Sequence, residues 1–166
     1  MNSILVALDG TPASLKVVKY VAEIIGHLPK TTVYLFHVVP MVSPNLLTSE
    51  EVRRIEKIHE EVEHLSGFFW SKESEEKMFQ IFSEAVNLLK SQGIPEENIK
   101  TFFDVASDTI ANLILRHARR LNCRTIAVGR RGLGRVKEIL IGSTSSTVVR
   151  NAKGHTVWVV DTTEEE

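Results

Sequence analysis

The residues best suited to chemistry are glycines. Gly129-Arg130-Arg131-Gly132-Leu133-Gly134-Arg135 leaves a predicted strand, and Gly142-Ser143-Thr144 opens a predicted helix ten residues beyond Gly132, so the spacing is G-x-x-G, nine residues, G-S. Glycines let a backbone turn sharply and approach a ligand closely. The N–H groups of such a turn, joined by those of a helix N-terminus, make a cradle for an anion. Ser143 and Thr144 add hydroxyl donors, while Arg130, Arg131, Arg135 and Lys137 bring positive charge to the same loop. Phosphate is the guest that this chemistry suits. The bland alternative is a turn that needs glycine for its own shape and holds no ligand; the G-S helix start favours the anion site. Two other phosphate motifs are absent. No G-x-x-x-x-G-K-[ST] string occurs, and Gly132-x-Gly134-x-x runs into Lys137 where the dinucleotide fingerprint needs glycine.

A second candidate is Asp9, which follows the apolar run Ile4 to Leu8. A carboxylate there can bind a metal ion, accept a phosphoryl group as in receiver domains, or do no more than form the turn. Receivers put the acceptor after the third strand and a lysine after the fifth, whereas the fifth strand here runs into Asp161-Thr162-Thr163. The six histidines form no ligand spacing, and His37, inside an apolar strand, reads as a satisfied core residue. Cys123 lies beside Arg124 in a connecting turn; an inert surface thiol is the expectation, against a redox role if the arginine lowered its pKa. No nucleophile–base pair, nucleophile elbow or metal triad is visible, so any turnover of a bound phosphate compound is expected to be slow and incidental.

These residues must be positioned by something, and the pattern supplies alternating strands and helices. Strands are predicted at Ile4 to Leu8, Val33 to Val39, Ile99 to Val105, Thr125 to Val128 and Thr156 to Val160. Between them, Thr11 caps and Pro12 starts a helix with Val17, Val18, Val21, Ala22 and Ile25 inward, ending at Gly26. Met78, Ile81, Phe82, Ala85, Leu88 and Leu89 mark a helix ending at Gly93. Asp108 caps another, with the stripe Ile110, Ala111, Ile114, Ala118 and Leu121, and Gly142 to Ala152 holds the last. The alternation predicts a doubly wound α/β fold, a parallel sheet with helices on both faces. Ligands in such sheets sit beyond the carboxyl ends of the strands where the winding reverses, which brings Asp9, Val38 and Gly129 together.

The crossover after the second strand is long. Thr48 with Glu51 forms a capping box, Val52, Ile55, Ile58, Val62 and Leu65 follow at helical steps, and Phe68-Phe69-Trp70 make an aromatic cluster, read as a helical insertion at about 40–72. The aromatics serve as a nucleotide lid, a docking point for a protein partner, or the core of the insertion. The chain has 166 residues, 43% apolar and 25% charged, with 20 Lys+Arg against 21 Asp+Glu. That is globular composition for about one domain, expected over residues 1–161 with an acidic tail at 162–166. The balanced charge gives no field for nucleic acid, and no apolar run is long enough for a membrane span. One cysteine excludes an internal disulfide, and the start MNSILVALDG carries no secretion signal, so the cytoplasm is the expected compartment. Thr156 to Val160 is an uncharged edge strand, and pairing with the same strand of a second copy would make a homodimer.

The chain resembles the universal stress protein family, in its ATP-binding branch. The resemblance runs from I-L-V-A-L-D-G-T through F-H-V-V to G-R-R-G-L-G-R-V-K-E-I-L-I-G-S-T-S-S-T-V-V-R and V-W-V-V, and the G-x-x-G, nine, G-S spacing is that branch's signature. It implies a Rossmann-like sheet of order 3-2-1-4-5, of the adenine nucleotide alpha hydrolase type, commonly dimeric. It further implies ATP with Mg²⁺ or Mn²⁺, phosphate contacts from Gly129, Gly132, Gly142 and Ser143 with Thr144 nearby, adenine held by backbone at Ala7 and Val38, and Asp9 near ribose and metal. The role implied is a stress-response regulator or sensor. The alternatives are a nucleotide-free interaction protein that docks a partner on the long crossover, and a slow ATP hydrolase. Two departures stand out: Asp108-Thr109-Ile110 replaces the family's frequent G-x-P, and Arg130-Arg131 stands where the family usually has a small polar residue and a second residue, often His or Arg, which should strengthen anion binding.

Overall fold

Short apolar runs with both faces hydrophobic can be satisfied only if helices cover them on both sides, and this is how the chain folds in the computed structural model, which describes residues 2–26, 28, 30–39, 72–130 and 141–163. The strands are β1 (Asn2–Leu8), β2 (Thr31–Val39), β3 (Ile99–Val105), β4 (Thr125–Gly129) and β5 (Thr156–Val160). All pair in parallel, in the order β3-β2-β1-β4-β5. The helices are α1 (Leu15–Ile25), α2 (Lys72–Ser91), α3 (Ile110–Arg120) and α4 (Ser143–Asn151). The expected doubly wound sheet and its strand order are therefore present. The predicted bounds of β3 and β5 match the observed ones, and β1 and β2 each begin two residues earlier than expected.

The pleat divides the core into two layers. Ile4, Val6 and Leu8 of β1 and Val33, Leu35 and Val39 of β2 face α1 and α2, where they meet Val17, Val21, Ile25, Met78, Phe82 and Leu89. Leu5, Phe36, Val38, Ile126 and Val128 face the other way, toward Leu113, Ile114 and Ala118 of α3 and Val148 of α4. Phe36, Leu35, Leu113 and Ile126 are completely buried, each contributing about 1.5–3 kcal/mol by area. Because these core residues sit on strands of both halves of the sheet, they fix the carboxyl ends of β1, β2 and β4 side by side.

Helix ends follow local chemistry, with two corrections to the caps read from the sequence. Gly93, at φ +85°, closes α2: its N–H donates to Lys90 O at 3.0 Å and that of Ile94 to Leu89 O at 3.2 Å, with Leu89 and Ile94 both buried. At α3 the capping side chain is Thr109, not Asp108: Thr109 Oγ1 accepts from Asn112 N at 3.3 Å, while Asp108 Oδ1 accepts from Thr109 N and Asn112 Nδ2. Packing on the sheet leaves Ile110 outward, 46% exposed, and Leu113, Leu115 and His117 inward. Thr11 does not cap with its side chain either, for its hydroxyl is drawn back to Asp9 and the chain takes a 3-10 turn at Pro12–Ser14 before α1. The predicted insertion at about 40–72 lies almost wholly outside the described residues, which resume within α2.

Candidate functional site

Asp9 and Gly10 leave the end of β1 at the point where the order turns from β2 on one side to β4 on the other. Asp9 Oδ1 accepts from Thr11 N at 2.9 Å and from Thr11 Oγ1 at 2.7 Å. This is the turn-forming role, and it uses one oxygen, leaving Oδ2 available for a cation among the described residues. Gly10 sits at φ +81°, and a Cβ there would lie 2.6 Å from Met78 Cε and 3.5 Å from His37 Cε1. The turn is thus held between α2 and β2 and needs a residue without a side chain.

His37 supports this turn from below. It is buried, and its Nδ1–H donates to Leu8 O at 2.8 Å, the last carbonyl of β1. Burial lowers its pKa below the ordinary 6.5, against the opposing pull of the Leu8 bond and the Asp9 charge, so the ring stays neutral and keeps that donor in place. The core reading of His37 holds; its position beneath the Asp9 turn is new, because only the register Leu8↔His37 brings the two together. Ala7 pairs with Phe36 on the same ladder. Val38, one residue further along β2, is buried against α3 and pairs with Asp104 of β3, and Val39 O accepts from Ala106 N at 3.0 Å.

The β4 end is tied to the start of α4. Gly129 O accepts from the buried Ser145 hydroxyl at 2.6 Å, and Arg130 O accepts from Gly142 N at 2.7 Å. Arg130 N in turn donates to Val160 O at 2.6 Å, so one residue joins β4, β5 and α4. Its guanidinium is engaged by Asp161, Nη2 to Oδ2 at 3.2 Å, while its buried Nε has no hydrogen-bond partner among the described residues. This pair is half-exposed and contributes about 0–1 kcal/mol to stability, so its chief effect is to orient the side chain.

Gly142 stands at the N-cap of α4 with φ −61° and ψ 157°, and no side chain caps the helix. Its first turn therefore offers backbone donors, and the partial positive charge of the helix start, at the sheet end that carries Gly129 and Asp9. Ser143 is exposed and Thr144 half-buried beside them. Ser145, which the sequence reading passed over, is the hydroxyl turned inward; its place three residues after the capping glycine was the available signal. Arg131 and Gly132, with Arg135 and Lys137, lie outside the described residues. Cys123 is buried rather than on the surface, and burial pushes its thiol up to about 11, away from redox chemistry.

Among the described residues no helix is long and apolar enough to cross a membrane. A sequence model of the universal stress protein family matches residues 1–161. Solved structures with the same fold include the universal stress protein UspA from Lactobacillus plantarum, at 17% identity and a TM-score of 0.69 over 96% of this chain and 97% of that one. The universal stress protein from Archaeoglobus fulgidus in complex with dAMP aligns at 17% identity and 0.61, over 96% and 97% of the two chains. A universal stress protein family member from Arabidopsis thaliana with AMP bound aligns at 15% identity and 0.61, over 97% and 92%. No curated protein matches the sequence. With the family's pattern covering all but the last five residues, on a five-stranded sheet wound in the order 3-2-1-4-5, the chain belongs to the universal stress protein family.

Proposed function

We propose that this protein is an ATP-binding stress-response regulator that works through nucleotide-dependent conformation and contacts between two copies, in the cytoplasm. The observation that carries the reading is the convergence, at one sheet end, of an uncapped α4 N-terminus, the Gly129–Arg130 turn and the Asp9 carboxylate. The buried Arg130 Nε, without a hydrogen-bond partner among the described residues, and the donors of Ser143 at the start of α4 fit a polyanion. Gly129, Arg130, Arg131, Gly132, Gly142, Ser143 and Thr144 would hold the phosphates, and backbone at Ala7 and Val38 the adenine. Relatives solved with AMP and dAMP support an adenine nucleotide.

Among the described residues no three His, Cys, Asp or Glu side chains gather to hold a metal by themselves. Mg²⁺ or Mn²⁺ at Asp9 would therefore be shared with phosphate oxygens, the usual arrangement for Mg²⁺ beside a nucleotide. The ion would neutralise phosphate charge there. Asp9 and Arg130 would orient the nucleotide, and no residue of this chain is assigned to a reaction.

Gly142→Val tests the site. Its backbone angles are open to any residue, so the fold should persist, while a side chain would stand in the path of a phosphate. Calorimetric titration with MgATP is expected to show about micromolar binding, one site per chain, lost by about a hundredfold or more in the variant. Full affinity in a folded Gly142→Val protein would remove the phosphate site from this loop. No heat and no melting shift with wild-type protein would leave the glycines structural.

A further inference from the structure

We infer that the corner of the molecule where α3 and α4 end is a docking surface for a protein partner that presents a carboxylate-rich helix. The chain as a whole is balanced, 20 Lys+Arg against 21 Asp+Glu. From Thr109 to Val160, however, its one carboxylate is Glu138, which lies outside the described residues, while Arg116, Arg119, Arg120, Arg124, Arg150 and Lys153 all fall in that stretch. All six are exposed. The helices on the other face of the sheet mix their charges instead, as in Lys16, Lys19 and Glu23 of α1 and the Glu73–Lys77 pair of α2, 2.6 Å apart.

The fold collects these cations. In a parallel sheet covered by helices each helix runs back against the strands, so α3 and α4 both end beside the first residues of β4 and β5, at the opposite end of the sheet from Gly129 and Asp9. The two helix ends are joined there. Cys123 N donates to Ala118 O at 2.8 Å, Cys123 O accepts from His155 Nδ1 at 2.6 Å, and Thr156 N donates to Arg124 O at 2.8 Å. Arg119 and Arg120 at the end of α3, Arg124 at the start of β4, and Arg150 and Lys153 at the end of α4 are thereby held at one corner, with Arg116 one turn back along α3.

Little of this charge is used within the chain. Arg116 Nη2 lies 3.4 Å from Asp104 Oδ2, an oxygen already engaged by His117 Nε2 at 2.6 Å, while Arg120 Nη2 donates to His117 Nδ1 at 3.3 Å and Arg150 Nε to Ser146 O at 3.4 Å. Arg119, Arg124 and Lys153 have no ion pair and no side-chain hydrogen bond among the described residues. Cations in the last turn of a helix complement its dipole, which accounts for Arg119, Arg120 and Arg150. It does not account for Arg124 and Lys153, which stand beyond the helix ends, or for the lack of carboxylates along both helices. Like charges held together repel one another, and an anionic surface laid over them relieves that repulsion.

Composition decides the kind of anion. All but Lys153 are arginines, whose planar fork pairs with a carboxylate through two parallel hydrogen bonds and is enriched at protein interfaces, where lysine is depleted. Arg116, Arg120 and Arg124 recur at steps of four, the step at which carboxylates line one side of a facing helix. A single-stranded nucleic acid needs aromatic side chains to stack on, and neither α3 nor α4 carries a Phe, Tyr or Trp. A lipid surface needs apolar side chains to insert. Among the described residues Val149 is the one exposed large apolar residue at this end of the two helices, Ile110 lying at the far end of α3. A lone aliphatic residue among arginines suits a protein surface. Because the corner is at the other end of the sheet, a docked partner leaves the Gly129–Gly142 region open to nucleotide.

The test is fluorescence anisotropy of a labelled helical peptide of about 20 residues with glutamates at steps of three and four, titrated with the full chain up to about 1 mM protein at about 0.15 M salt. The same peptide with glutamine for glutamate, a single-stranded RNA of equal length, and phosphatidylcholine vesicles with about 30% phosphatidylserine serve as the other probes. The expected result is saturable binding of the glutamate peptide, absent for the glutamine peptide and weakened about tenfold or more in Arg119→Glu/Arg124→Glu/Lys153→Glu. Melting and MgATP titration are expected to be unchanged in that variant. Arg124→Gln/Lys153→Gln, which touches neither helix, is expected to show a smaller loss in the same direction and stands in if the triple variant does not fold. No binding of the glutamate peptide, or equal binding by wild-type protein and both variants, overturns the docking surface. RNA or vesicles bound more tightly than the peptide through the same residues overturn the protein partner and give the corner to a phosphate-bearing one.

Discussion

The two edges of the sheet are built on opposite plans. At β3 the outer strand carries Lys100 and Thr101, both exposed, and Asp104, whose Oδ2 accepts from His117 Nε2 at 2.6 Å and lies 3.4 Å from Arg116 Nη2. His117 is buried between the rings of Phe36 and Phe102, at 4.8 and 5.1 Å, and its Nδ1 accepts from Arg120 Nη2 at 3.3 Å. At β5 no residue from Thr156 to Val160 is charged and none anchors to a helix through a buried polar pair among the described residues. An edge that carries charge and is bolted down resists pairing; an uncharged one bordered by apolar helix surface invites it. The β3 edge is finished within the chain, and the β5 edge is left without a second strand among the described residues.

The largest effect should come from unbolting β3. His117→Ala removes the hydrogen bond to Asp104 and leaves a gap between two aromatic rings, and it should cost about 3 kcal/mol in urea unfolding. His117→Asn, which retains a donor, should recover part of that loss. Equal stability of His117→Ala and wild-type protein would mean that β3 is held by its apolar contacts alone.

Acid should act on the same edge next. Burial raises the Asp104 pKa, but the His117 and Val105 N–H hydrogen bonds, with attraction to His117 and Arg116, outweigh it and hold the carboxyl below its ordinary value of 3.8. A folded pKa below the unfolded one means stability present above pH 3.8 and lost as pH falls through the folded value. His37 adds a separate step: its lowered pKa favours the unfolded chain as pH drops below 6.5, until the folded ring also takes a proton. Melting temperature against pH should therefore fall in two limbs, and Asp104→Asn should flatten the lower limb only. Loss of both limbs in that variant would refute the assignment.

The smallest effect on stability, and the sharpest test of the comparison, is to make the closed edge resemble the open one. Lys100→Val/Thr101→Val should change unfolding free energy by less than about 0.5 kcal/mol and yet produce species larger than the wild-type assembly in sedimentation. Unchanged assembly would show that charge on β3 is not what keeps it single.

Much of this was legible in the residues. β3 and β5 are bounded by turn residues and dense in β-branched and aromatic types, so their limits could be read to the residue, and alternation alone indicated a doubly wound sheet. The strand order came with the family resemblance. Caps were harder. Asp108 and Thr109 are both good N-cap residues side by side, and only the observed bond from Asn112 N separates them. The candidate site was legible where it is local, in Gly142 and Asp9, and hidden where it is made by packing. Nothing in the spacing of His117 announces Asp104 thirteen residues earlier, because the contact joins α3 to β3 across the layer. Ser145 and His37 escaped for the same reason: each acts on a carbonyl that another strand supplies.

Cys123 offers a consequence of a different kind. It is the one cysteine in the chain, buried between α3 and β4, with its backbone carbonyl accepting from His155 Nδ1 at 2.6 Å and its amide donating to Ala118 O at 2.8 Å. With its thiol pushed up to about 11, it is hidden from a soluble alkylating reagent and poorly ionised at neutral pH. The reagent can reach it only when the layer over β4 swings open, so the rate at which a single mass increment accumulates is a clock for that opening. Since β4 ends at Gly129 and runs into Arg130, the same clock, read with and without nucleotide, reports how firmly a ligand at one end of a strand holds its other end shut.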